Sequence, residues 1–343
     1  MTRQELDVMY PCLPKKLFIN HNWRDDVATM GIVPSEFIEE ISGGKVNFEW
    51  PAQVNKLLLK PEIDLILSLG QVVPHEVIGM ANHNKNIFVG TGGSEGINKS
   101  HYLGAVYGME KIMGQADTPV RRVLDYASEN FANHLPVVYM QTVLAKDESG
   151  ELRLKGFFSG RDKECFTEAA KLSYKLNFKT LNDPVNKMVV YLDPREYKST
   201  WLGNKAIYRT RMAIADGGEL IILAPGLQQF GEDKTIDLLI RKYGYVNTPE
   251  ILKLVDNNKD LQENLSAAAH LIHGSTENRF HVTYCPGKLS DEEIRSVNYN
   301  FADINQYLKT YPPGKLKDGF NISETGEKFY YISNPALGLW KAG

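Results

Sequence analysis

Ile63–His101, IDLILSLGQVVPHEVIGMANHNKNIFVGTGGSEGINKSH, is the stretch from which the rest of the chain is read. It opens on Ile63 to Leu69, an Ile/Leu run broken only by Asp64 and Ser68. That is the pattern of a strand largely buried in a parallel sheet. The run stops at Gly70. Ligands of open α/β sheets collect beyond the carboxyl ends of strands, so Gln71 to His75 falls where a binding loop is expected. Lys85, a glycine-rich turn and His101 follow within the same forty residues.

Outward from this stretch, 343 residues exceed the size at which one core usually stops growing, and two domains are expected. With 43% apolar residues, 24% charged and a net charge of −3, the composition is that of an ordinary soluble protein. It carries no basic stripe for nucleic acid or anionic membrane. No run of about 18 apolar residues and no secretory leader pattern occur, so a cytoplasmic protein is expected. Cys12, Cys165 and Cys285 are far apart with no CxxC pair, which suggests neither a disulfide framework nor a zinc site.

Thr2 with Glu5 reads as a capping box, opening a helix that ends before Pro11. Leu17 to Asn20 reads as a short strand leading to His21, and Glu36 to Ile41 as a helix capped by Ser35 and stopped by Gly43-Gly44. Ser100 to Gln115 and Pro119 to Phe131 have helical apolar spacing. Leu135 to Leu144 and Leu152 to Phe158, separated by the polar AKDESGE, read as an antiparallel hairpin. Lys163 to Leu176 is helical, and Asn177 to Lys187 (NFKTLNDPVNK) reads as a linker. The expected division is therefore an N-terminal domain, 1–176, of mixed α/β type and a C-terminal domain, 177–343, whose last residues return to the first. In the second, apolar strands (Met188 to Leu192, Glu219 to Leu223, Phe280 to Cys285, Phe329 to Ile332) alternate with helices near 203–215, 233–243, 248–257, 261–273 and 290–310. That alternation predicts a doubly wound, Rossmann-like fold.

Two nucleotide motifs fail within Phe88 to Ser100, FVGTGGSEGINKS. Gly90, Gly92 and Gly96 give GxGxxxG rather than GxGxxG, and Asn98 stands where a P-loop needs its second glycine. A glycine turn feeding a helix N-terminus still aims backbone N–H groups at an anionic group in front of it, and Gly90, Gly92 and Gly93 are its candidate contacts. Of the eight histidines, His270 and His273 are spaced i, i+3 but lack the Glu and third ligand of HExxH, and the ordinary reading of both is core or surface. His75 and His101 differ because they flank Lys85 in one glycine-rich stretch. Histidine supplies a base near neutral pH or a metal ligand, and lysine a nucleophile for covalent attachment.

The spacing of Pro74-His75, Lys85 and His101 resembles the nickel-pincer lactate racemase family, and the likeness extends to YKSTWLGNKAIYRTRMAIADGG, residues 197–218, with Trp201 and Lys205 on matching positions. The resemblance implies a racemase or epimerase of 2-hydroxy acids working by proton-coupled hydride transfer. It makes His75 a catalytic base, Lys85 the covalent anchor of the nickel-pincer nucleotide and His101 a nickel ligand. Lys205 becomes a catalytic-site cation for the substrate carboxylate and Trp201 a wall of the pocket. The implied partners are a small 2-hydroxy acid and the proteins that make the cofactor. Two other readings stand beside it: a truncated or non-catalytic relative that binds cofactor or hydroxy acid, and a nicotinamide-dependent dehydrogenase using the Gly90 to Gly96 turn.

The chain departs from the family pattern at several points. Ala81-Asn82-His83-Asn84-Lys85 stands where the family has SGGRK, losing two glycines and an arginine, and Leu202 stands where glutamine is usual. The Asp-x-Thr-Arg-Pro stretch and the second catalytic histidine that the family carries nearer its N-terminus have no match here. His21 and His83 are the nearby candidates to replace that histidine. Without such a segment, an apolar edge of the first sheet is expected to lie exposed.

Overall fold

The computed structural model describes residues 3–147 and 150–343. Its C-terminal half is built on a six-stranded sheet in the order Asn300–Phe301, His281–Pro286, Ile214–Ala224, Val185–Tyr191, Lys328–Ile332, Gly319–Ile322. All neighbours are parallel except the last pair. Met188, Val190, Leu220 and Ile222 point into one apolar core, and Val189, Ile221 and Leu223 into a second. Both faces are covered, which is why these strands read as continuous apolar runs. The α/β doubly wound expectation therefore describes this half.

The N-terminal half holds a three-stranded sheet in which Ile66–Gln71 runs parallel to Val137–Lys146, itself antiparallel to Leu152–Gly160. Its inner face packs on helix Lys163–Asn177 through Phe166, Ala169 and Ala170. The opening strand corrects the sequence reading in two ways. It begins at Ile66, and Leu67 and Leu69 are 52% and 64% exposed, because it is an edge strand with only one covered face. Leu67 and Leu69 thus lie exposed on an edge strand of this sheet.

Other boundaries moved for local reasons. Thr2, of the expected capping box, lies outside the described residues; the helix is described from Arg3 to Met9. Leu17 ends a 3₁₀ turn rather than starting a strand. Helix Ser35–Ser42 does stop at Gly43, whose φ of +68° suits glycine. Ser100 to Gln115 is two pieces, Ser94–Tyr107 and Met109–Ile112, parted at Gly108 with φ +117°. The expected linker contains a strand, Phe178–Leu181, that pairs with the closing strand Leu339–Ala342. The 203–215 helix is two short helices, Thr200–Gly203 and Lys205–Thr210, and 290–310 is broken by strand Asn300–Phe301. Among the described residues no helix is long and apolar enough to cross a membrane.

Candidate active site

The site is assembled by helix Ser94–Tyr107, which lies against the His75 loop on one side and helix Leu265–Gly274 on the other. Gly104 makes the first approach possible: a Cβ there would stand 2.5 Å from the Val77 carbonyl oxygen. The close packing brings His101, one turn earlier, beside the loop of His75 and Glu76. On the far side Asn98 Oδ1 accepts hydrogen bonds from the Ser266 amide (3.3 Å) and hydroxyl (2.5 Å).

His75, Lys85, His101 and Lys205 converge on one carboxylate that sequence reading passed over, Glu76. Burial disfavours its charge, but His75, Arg209 and Lys205 outweigh that and hold its pKa well below the usual carboxylate range. Glu76 Oε2 is buried with no hydrogen-bond partner among the described residues. Burial lowers the pKa of Lys85, with Lys205 and Arg121 adding to the effect and Glu76 opposing it. A larger neutral fraction makes an amine a better nucleophile. His75 is likewise pushed down, chiefly by burial, and its ring is neutral at pH 7.

The two ring orientations differ in what they present. His101 Nδ1 lies 2.7 Å from the Ile97 carbonyl, which only accepts, so Nδ1 carries the proton and Nε2 keeps its lone pair. A neutral imidazole fixed in this way is suited to a metal ion. His75 Nδ1 instead accepts from the Val77 amide at 3.1 Å, so its neutral ring carries the proton on Nε2. Its base form is the other tautomer, reached by giving up that bond.

Lys85 follows a strained turn. Asn82 and His83 have φ of +77° and +60°, the left-handed region glycine favours. These are the two positions where the resemblance leads one to expect glycine. Arg121, fully buried, holds the turn: it donates to the Met80 carbonyl at 2.7 Å, the Asn82 carbonyl at 3.2 Å and Asn84 Oδ1, and its guanidinium lies 4.1 Å from the Phe166 ring centroid.

Three further residues complete the cluster. Arg209, one helical turn after Lys205, is buried, couples to Glu76 and leaves its Nε without a partner among the described residues. The i, i+4 spacing of Lys205 and Arg209 was the available signal. His270 and His273 line a small cavity with Glu76, His101, Trp201 and Tyr208. His270 fits its ordinary reading, bonded by Tyr208 and Tyr245 hydroxyls at 2.9 Å each. His273 does not: it is buried and its Nε2 has no partner among the described residues.

The glycine turn is closed more by protein than expected. Ser94 and Gly96 amides donate to the Trp23 carbonyl (3.2 Å) and Gln53 Oε1 (3.4 Å), and a Cβ on Gly92 or Gly93 would meet Phe88 O at 1.8 Å or Gln53 Oε1 at 2.3 Å. Gly92 and Gly93 permit close packing, whereas Gly90 is exposed and lines a cavity of about 310 Å³ with Trp201, Asn98 and Ser266. The turn is preceded by the helical turn Asn86–Gly90 rather than a sheet strand, so the strand–turn–helix of a dinucleotide site is not formed.

Neither candidate for a replacement base stands in this cluster with a free ring. His21 donates from Nε2 to the Gly92 carbonyl (2.8 Å) and accepts at Nδ1 from Asn55 (2.7 Å). His83 lines a separate cavity with Asp125 and Lys163, and its Nε2 donates to the Asp162 carbonyl at 3.2 Å. Burial, reinforced by Arg121, lowers its pKa to about 4. In the unfolded chain this histidine binds a proton near pH 6.5, so stability contributed by keeping it neutral falls as pH drops from there towards 4. The expected slope is up to about 1.4 kcal/mol per pH unit. Urea denaturation between pH 7 and 4.5 should therefore show a shallower pH dependence for His83→Gln than for the parent chain; equal slopes would contradict the assignment.

Comparison with known proteins bears on the fold. The chain matches no protein-family model and no curated protein. Among solved structures it is similar to a Thermotoga maritima protein from a structural genomics programme, with 23% identity and a TM-score of 0.83, covering 100% of this chain and 83% of that one. It is also similar to the lactate racemase apoprotein of Thermoanaerobacterium thermosaccharolyticum, with 16% identity and a TM-score of 0.69, covering 99% of this chain and 75% of that one. The chain has a lactate-racemase-like α/β fold.

Proposed function

We propose that the cleft racemises or epimerises a 2-hydroxy acid, using a nickel-pincer nucleotide attached covalently to Lys85. The observation that carries this reading is the convergence of Lys85, His75, His101 and Lys205 on Glu76. The residues fit the group: Lys85 is an amine whose charged form burial disfavours, and His101 offers an Nε2 lone pair to nickel. When bound, the nucleotide supplies the hydride acceptor and the metal.

The chain's own residues do the rest. Lys85, Lys205 and Arg209 outnumber Glu76, so the site keeps net positive charge even after Lys85 is acylated. Lys205 and Arg209 hold the substrate carboxylate by charge-assisted hydrogen bonds. His75 Nε2 takes the substrate hydroxyl proton in its base tautomer, holds it while C2 is a ketone, and returns it. Trp201, its ring centroid 4.7 Å from that of His270, walls the pocket. The substrate is a small 2-hydroxy acid, the protein partners are those that make the cofactor, and the expected location is the cytoplasm.

Chiral chromatography of an enantiopure 2-hydroxy acid incubated with the loaded protein tests this reading. Loss of optical purity supports it, and an unchanged enantiomer with fully loaded protein overturns it. A second reading, a relative that binds the cofactor without catalysis, is favoured by the engagement of His21 and His83 elsewhere. It predicts loading without racemisation.

A further inference from the structure

We infer that the 2-hydroxy acid taken by the cleft carries further hydroxyl groups along its chain, as a sugar acid does; this deepens the function proposed above and rests on it. The first observation lies in the interior, behind the small cavity that His101, Trp201 and Tyr208 line together. There the direction of each hydrogen bond fixes the next. Thr200 Oγ1 donates to the Phe230 carbonyl at 2.9 Å, which can only accept, so in its 2.9 Å contact with Tyr245 the tyrosine hydroxyl is the donor. Having given its one proton, Tyr245 accepts from His270 Nε2. Burial keeps the His270 ring neutral, with a pKa of about 3, so its Nδ1 carries no proton and accepts from the Tyr208 hydroxyl. Tyr208 therefore turns only lone pairs to the cavity, and its match is a hydrogen-bond donor.

The second observation is the cavity of about 310 Å³ that shares Trp201 and Ser266 with the small one. Its amides are aimed by bonds already made. Asn98 Oδ1 is held by Ser266 and Asn264 Oδ1 by the Ala267 amide at 3.1 Å, which leaves the NH₂ group of each without a partner among the described residues. Asp233 and Arg24 hold each other at 3.2 Å, whereas the exposed Glu232 has no partner among the described residues. This wall thus offers two donors and one charged acceptor, beside the flat ring of Trp201.

The walls select among side chains of the acid. Lactate, about three waters in size at about 30 Å³ each, leaves most of this space unfilled. A hydrocarbon or aromatic tail would desolvate both amides and bond neither. A second carboxylate, or the phosphate of a nucleotide, meets Glu232, and an amine brings donors to donors. A hydroxyl both donates and accepts, so a run of hydroxyl-bearing carbons satisfies Tyr208 and Glu232 as donor and Asn98 and Asn264 as acceptor, with its C–H face on Trp201.

Titration calorimetry of the full chain with sodium D-gluconate and with sodium lactate tests the inference. Gluconate is expected to bind at least about tenfold more tightly, the worth of two net hydrogen bonds. Asn264→Asp keeps the oxygen that caps helix Leu265–Gly274 and replaces the donor by an acceptor, and Tyr208→Phe removes the interior acceptor. Each should weaken gluconate about fivefold with unchanged far-ultraviolet circular dichroism. No binding of gluconate, equal affinity for the two acids, or a gluconate affinity that both variants retain overturns the inference. The cofactor-loaded protein separates this from the reading beneath it. Proton NMR should show gluconate converted to its C2 epimer faster than lactate is inverted; faster inversion of lactate overturns the inference and leaves the proposed function standing. Tight gluconate binding with neither acid inverted supports the preference for hydroxyls and counts against the catalytic reading.

Discussion

His75→Asn is expected to lower racemisation by roughly 10²- to 10⁴-fold, the usual contribution of one positioned proton-transfer group, while leaving cofactor loading unchanged. Asparagine is the informative replacement because its side-chain oxygen can accept the Val77 amide bond that His75 Nδ1 accepts at 3.1 Å, keeping the loop in place. In the proposed reading the anchoring amine is that of Lys85 and the metal-facing imidazole that of His101, so the adduct mass and the nickel content should match the parent protein. A variant that racemises at the parent rate removes His75 from the mechanism. One that loses cofactor and activity together gives it a binding role instead.

Arg121→Met is expected to have the largest effect on stability, about 3 kcal/mol, because it strands two buried carbonyls, at Met80 and Asn82, that each cost about 1–3 kcal/mol when left unbonded. Methionine keeps the contact with Phe166, so the loss reports the hydrogen bonds. The consequence reaches function through backbone geometry. Asn82 and His83 occupy a conformation that costs non-glycine residues energy, and the clamp that holds it sits just before Lys85. Adduct formation on Lys85 should slow in parallel. Urea denaturation measures the first effect, and a loss below about 1 kcal/mol would show that the turn holds its shape without Arg121.

What the chain made legible was its local chemistry. The apolar runs of the C-terminal sheet, the hairpin, and most helix starts followed from periodicity and punctuation, since both faces of that sheet are buried by sequence-adjacent helices. The edge strand misled because an Ile/Leu run looks the same whether its second face meets protein or solvent. His75, Lys85 and His101 were visible through their spacing. Glu76 was not, because one carboxylate beside a histidine carries no pattern; its importance comes from Lys205 and Arg209, more than a hundred residues away. His273 was set aside on good general grounds, and only the packing of helix Leu265–Gly274 against helix Ser94–Tyr107 gives it a place in the cleft. The left-handed turn shows the reverse: the missing glycines marked a real backbone constraint, met here by a buried arginine 39 residues from Asn82.

The claim on which the rest depends is that Lys85 carries the cofactor. Intact-mass spectrometry, followed by peptide mapping, of the chain co-expressed with functional cofactor-making enzymes tests it most directly. The account predicts one adduct of the nucleotide's mass on the peptide containing Lys85, absent from Lys85→Ala, with nickel bound in the parent and lost in His101→Ala. An unmodified Lys85 in the presence of those enzymes, or an adduct on another lysine, would contradict it.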